Sequence, residues 1–233
     1  MMLLAPGAPA SSPLSALWPQ GAHQSALGAP MQIVLLLTVA TLLPAVVMSV
    51  TPFLRITVVL HFLRQALGTQ STPSNQVLIG LALFLTILIM QPVAAEMYAR
   101  GWEPVEKGAL TLSQGLDEGT KPLKAFLIRF AREKDVRLLV EITRSPAPRS
   151  PADLNLRILV PAYILSELKT SFQIGAVLFL PFLVIDLVVA SVTLSIGMIQ
   201  LPPVMLSAPF KVLLFVLVDG WNLVVGSLVR GFF

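Results

Sequence analysis

The 233-residue chain is 55% apolar and only 12% charged, with a formal net charge of +4 and a mean hydropathy of +0.83. A soluble domain carries about 25% charge, so this composition argues against a water-soluble enzyme, a disordered tail and a nucleic-acid-binding module. The absence of cysteine excludes a disulfide, a thiol nucleophile and a thiolate metal site.

In chain order, residues 1–30 are rich in Ala, Pro, Ser and Gly. They read as a flexible N-terminal lead without the basic n-region of a secretory signal. Residues 31–54 contain no charge, and residues 65–95 contain none either, with the densest apolar run at 77–95. Residues 31–95 are therefore expected to form an apolar helical hairpin. Residues 96–169 hold 22 of the 28 charged side chains. Within them Leu123, Phe126, Leu127 and Phe130 form an i, i+3, i+4, i+7 stripe after Lys121-Pro122, which predicts an amphipathic helix in a water-facing segment. Residues 145–155 read as a proline-rich loop. Two further uncharged runs follow at 170–185 and 187–210.

Each apolar run supplies roughly the 20 residues needed to cross a hydrocarbon core. Backbone groups in lipid must be paired within the segment, and the runs do not alternate, so they are read as helices rather than barrel strands. Pro44, Pro52, Pro92 and Pro181 fall within or at the ends of the runs, and Pro202-Pro203 splits the last. Kinked or broken helices are expected. Two readings follow: tolerated kinks in ordinary spanning helices, or bent hairpins that pack on one another rather than on lipid.

Nucleotide-binding glycine motifs are absent. The histidines, His23 and His61, do not form a metal-ligand pair, and no protease motif accompanies the acids. No catalytic residue, metal or cofactor is expected. Five ionisable residues stand out at membrane depth: Arg55, Glu167, Asp186, Lys211 and Asp219. Such groups are costly there and face a partner or a cavity. On a continuous helix over 209–230, Lys211, Asp219, Asn222, Gly226 and Arg230 fall in one stripe about 100° wide. That stripe suits subunit packing or a pore wall. The alternative is a stripe buried between the chain's own helices and ion-paired to avoid an uncompensated charge. Arg55 and Arg64, nine residues apart, point in opposite directions on one helix. The loop 197–203 carries Gly197 at its entry, Pro202-Pro203 at its exit and Met198 near its centre. Taken alone it reads as a hairpin turn.

Pro161-Ala-Tyr-Ile-Leu-Ser-Glu-Leu-Lys-Thr-Ser-Phe-Gln-Ile-Gly175 resembles the first signature of the FliP family, the flagellar type III export-gate proteins. Pro209-Phe-Lys-Val-Leu-Leu-Phe-Val-Leu-Val-Asp-Gly-Trp221 resembles the second, with Gly220 and Trp221 at its end. Arg55-Ile-Thr-Val-Val, Leu63-Arg-Gln-Ala-Leu-Gly-Thr and the run from Pro73 to Thr86 are also similar to that family. The resemblance covers roughly residues 31–233 and implies an all-α fold of kinked, membrane-associated hairpins with a small helical middle domain. It implies a non-enzymatic, pore-forming subunit that assembles as a pentamer with FliQ-like and FliR-like chains and works with FlhB-like and FlhA-like components. Unfolded substrates would pass through its centre at the bacterial inner membrane, inside the flagellar basal body. Much of the chain would stand on the periplasmic side, residues 96–160 as a periplasmic domain and 161–233 as the second hairpin. The resemblance also implies a pore constriction at Met198, Ile199 and Gln200, although Ile199 and Gln200 replace methionines common in the family. It further implies an intersubunit network of Arg55, Glu167, Asp186, Lys211 and Asp219. The virulence-type secretion subunit shares the signatures, though the wording is closer to the flagellar branch. A secondary transporter or ion channel with a buried charge relay is the alternative from composition.

Overall fold

Proline placement and cap chemistry set where the helices begin. The computed structural model describes residues 29–69, 71–146, 150, 153–197 and 202–233, and every regular element among them is helical. The chain divides into two units, Met1–Pro44 and Ala45–Phe233. The described part of the first unit belongs to helix α1 (Ala29–Ser49). It is apolar on all sides, and no residue of Pro30–Ser49 is buried. Its Thr38 and Thr41 hydroxyls donate to the carbonyls of Val34 and Thr38, at 2.8 and 2.9 Å. Its threonine hydroxyls are thus satisfied within the helix.

The second unit is built on helix α2 (Phe53–Ala66), which starts directly after Pro52. Phe53, Ile56, Val59, Leu60 and Leu63 recur at helical spacing and bury one face. Helix α3 (Asn75–Met97) buries Leu78, Ala82, Leu85 and Ile89 against that face while leaving Phe84, Ile87 and Leu88 exposed. It runs on through a π-helical turn, Tyr98–Trp102, into the short helix α4 (Glu103–Glu106). Helix α5 (Leu112–Phe130) opens on a capping box. The Thr111 hydroxyl accepts from the Gln114 amide, and the Gln114 side chain accepts from the Thr111 amide at 3.0 Å. Helix α6 (Glu133–Ile142) follows, then helix α7 (Leu156–Ser195), whose Asn155 cap accepts from the Arg157 amide at 2.9 Å. Helices α8 (Pro203–Leu217) and α9 (Gly220–Arg230) close the fold. The core joins α2, α3, α5, α7 and α9 through Ile56, Leu60, Leu85, Leu127, Tyr163 and Leu228.

Several boundaries differ from those the sequence suggests. Pro92 lies inside α3 instead of ending it. Ile89 and Val93 pack on the core on either side of the proline, so burial holds both halves of the helix despite the lost hydrogen bond. The amphipathic helix of the middle segment starts at Leu112, because the Thr111 cap outranks the proline signal at Pro122. The runs 170–185 and 187–210 are not separate helices split at Asp186. Helix α7 passes through Pro181 and Asp186 unbroken and ends at Ser195, and the end of the second run lies in α8. The single helix expected over 209–230 does not form. Asp219 takes a left-handed conformation (φ 52°, ψ 50°), and α8 and α9 meet at a 65° bend. Next to it the ring of Phe215 occupies the place a Cβ on Gly220 would take. The proposed stripe of Lys211, Asp219, Asn222, Gly226 and Arg230 is therefore split between two helices.

Candidate functional site: two ion pairs that close the helix packing

Glu167 sits on α7 beside Ala162, Tyr163, Ser166 and Ser171, the buried face of the helix. Arg55, in the first turn of α2, reaches it across the α2–α7 contact. Arg55 Nε donates to Glu167 Oε2 at 2.8 Å and Nη2 donates to Oε1 at 2.5 Å. This is a two-pronged pairing, the arrangement in which arginine and carboxylate satisfy each other best. The side chains are only 8% and 0% exposed. The guanidinium is 4.0 Å from the centroid of the Phe232 ring and 5.6 Å from that of Phe130. The guanidinium is thus surrounded by a carboxylate and two aromatic rings. Burying both charges costs several kcal/mol per ion by order of magnitude, so the pair is best understood as fixing helix register rather than adding net stability.

Ser166, next to Glu167, ties the middle segment to the same place. Its hydroxyl donates to Asp135 Oδ2 at 2.7 Å and accepts from the Arg132 amide at 2.8 Å. The second pair lies between α7 and α8. Lys211 Nζ donates to Asp186 Oδ2 at 2.7 Å, and Ser207 Oγ donates to Oδ1 at 2.5 Å. The lysine is buried and the aspartate is partly open. This pairing explains how a charge at residue 186 is carried within an apolar helix.

Of the five ionisable residues singled out in the sequence, four thus meet as two pairs within one chain. The fifth, Asp219, is exposed at the α8–α9 bend, where Asn222 Nδ2 donates to its Oδ2 at 3.1 Å. Arg64 points away from Arg55, as the nine-residue spacing requires, and donates to Asn75 Oδ1 at 2.6 Å. In the signatures, Pro161 and Pro209 lie inside α7 and α8. Gly175 is buried where the Phe62 ring of α2 fills the space of a side chain. Trp221 stands edge-on to Phe215, with ring centroids 5.4 Å apart. Met198, Ile199 and Gln200 lie outside the described residues. Sequence reasoning did not single out Ser166, Ser207 or Phe232, and it placed Phe130 only on the apolar stripe of an amphipathic helix. Hydroxyls and phenylalanines in an apolar chain carry no signal of their own until their partners are known.

The outer surface completes the description. Leu180, Leu183, Val184, Leu187, Val188 and Leu194 on α7 are each more than half exposed. Three described helical stretches, Pro30–Ser49, Asn75–Glu106 and Leu156–Ser195, are long and apolar enough to cross a membrane, or four if the bent α8–α9 pair is one span. The molecule is an all-α membrane protein whose few buried charges are neutralised in pairs. A model of the FliP family matches residues 36–228. The chain is 48% identical over 201 residues to "Flagellar biosynthetic protein FliP" of Bacillus subtilis (strain 168), covering 86% of this chain and 91% of that one. It is 46% identical over 202 residues to the protein of the same name from Pectobacterium carotovorum subsp. carotovorum, covering 87% and 78%. With the protein so named from Caulobacter vibrioides it shares 48% over 201 residues, covering 86% and 76%. The chain belongs to the FliP family.

Proposed function

We propose that this chain is a pore-forming core subunit of the flagellar type III protein export gate, passing unfolded substrates across the inner membrane. It acts as a structural subunit and not as an enzyme. The observation that carries this reading is the length of α7 set against its exposed apolar surface. Its 40 unbroken residues extend about 60 Å, roughly twice the thickness of a hydrocarbon core. Half of such a helix must leave the lipid, yet its outer face stays apolar nearly to Ser195. In this reading protein rather than lipid covers that surface. Sister copies and FliQ-like and FliR-like chains supply the cover, and FlhB-like and FlhA-like components complete the apparatus. In this reading much of the chain, including the charged middle segment, stands on the periplasmic side within the basal body.

The segment between α7 and α8 then faces the pore, with Met198, Ile199 and Gln200 from each copy forming its constriction. The two buried pairs set the shape that neighbouring copies meet, and Asp186, partly exposed, and Asp219, exposed, face those copies in the intersubunit network. The test is conductance. Met198→Ala in the assembled complex should raise small-ion leak without loss of assembly, because a flexible side chain that fills irregular space has been removed. Unchanged conductance in an intact complex would remove the seal from this position.

A further inference from the structure

We propose that Phe232 is a positioning residue for the buried ion pair: its ring holds the Arg55 guanidinium in the plane of Glu167 and thereby couples the docking of α9 to the α2–α7 contact. A guanidinium has an edge, which carries its N–H donors, and two faces, which carry none. Here Glu167 takes Nε and Nη2. The face is left for a π system, and the Phe232 centroid stands 4.0 Å from Arg55 Cζ. This is close for a cation over a ring, and the attraction is strongest where water is excluded. Both partners are desolvated, Arg55 at 6% and Phe232 at 3% exposure.

Phe232 is itself held from several sides. Its ring lies 5.0 Å from Phe130 and is stacked 6.4 Å from Phe126, which in turn meets Tyr163 of α7 at 6.1 Å. The backbone oxygen of Phe233 accepts from Arg129 Nη2 at 2.7 Å. Gly231 brings the backbone close enough that a Cβ there would lie 3.7 Å from Arg55 Nη1. The turn after α9 therefore seats directly on the ion pair. Its contact passes through a charge that a purely apolar filler would not engage.

Because the chain has no cysteine, a single Leu228→Cys reports on α9 docking. That position is 3% exposed and is labelled only when the helix lifts. In the detergent-solubilised full chain, Phe232→Leu should accelerate maleimide labelling about tenfold, while Phe232→Tyr, which keeps the ring face, should stay within about twofold of the parent. In an Arg55→Met/Glu167→Met background, Phe232→Leu should change the rate less than about twofold, because the coupled partner is gone. Labelling of Phe232→Leu at the parent rate would overturn the proposal, and so would equal acceleration in the neutral background. If Phe232→Leu gives no folded protein, recovery of yield in the neutral background supports the coupling, and continued loss overturns it.

Discussion

Arg55 and Glu167 are 112 positions apart in sequence and share two hydrogen bonds inside a dry core. Removing one partner leaves the other charge buried without compensation, which costs about 3–5 kcal/mol, whereas replacing both by apolar residues of similar volume is close to neutral. Glu167→Gln and Arg55→Met should each lower the denaturation midpoint of the purified chain sharply, and Arg55→Met/Glu167→Met should recover most of the loss. A double variant as unstable as the sum of the singles would show that the two residues contribute independently and not as a pair. Asp219 is a different kind of residue. Its left-handed backbone is uncommon for a side chain other than Gly, Asn or Asp, and aspartate is among the few that tolerate it. That conformation, and not a helix face, determines where Asp219 points.

Among the elements, the π-helical turn after α3 and helix α5 meet backbone to backbone at their glycines. A Cβ on Gly101 would lie 2.7 Å from both the Gly115 carbonyl oxygen and the Gly119 Cα. These are backbone atoms, so no rotamer change relieves the clash. Gly101→Ala should part α5 from the turn, at a cost of about 1–3 kcal/mol by overpacking. Faster tryptic cleavage after the exposed Lys107, between α4 and α5, would report it; an unchanged cleavage rate would show that the crossing is soft. The elements also show how far the sequence was legible. The existence and helical type of the apolar runs followed from continuous hydrophobicity, which lipid or a protein core can satisfy only through internal hydrogen bonding. The opposed directions of Arg55 and Arg64 followed from helical period alone. The breaks did not follow. Pro92 and Pro181 read as interruptions, yet long-range burial and the Lys211–Asp186 pair keep their helices whole. The Asp219 bend gives no periodic signal, because a single left-handed residue leaves the hydrophobic pattern on either side intact. Of the site, the charges were legible as costly residues needing partners. Which partner each one takes depends on distances of 25 and 112 residues along the chain, beyond the reach of local pattern.

At the scale of the whole molecule, the chain buries three charged side chains, Arg55, Glu167 and Lys211, and leaves many of its large hydrophobic side chains exposed, unlike a soluble monomer. Helix α1 has no buried residue in its span, and the most apolar stretch of α7 is 11% buried. In the FliP-family reading these surfaces are covered by other copies and companion chains. Glu167→Arg, which reverses a charge within the protomer, should then also abolish the assembly by deforming the surface that neighbours meet. The most direct measurement is the native mass of the complex after gentle detergent extraction. The account predicts a particle holding several copies of this 25.1 kDa chain together with other membrane subunits in fixed ratio. A stable single chain of 25.1 kDa, with detergent alone around every apolar helix, would contradict it.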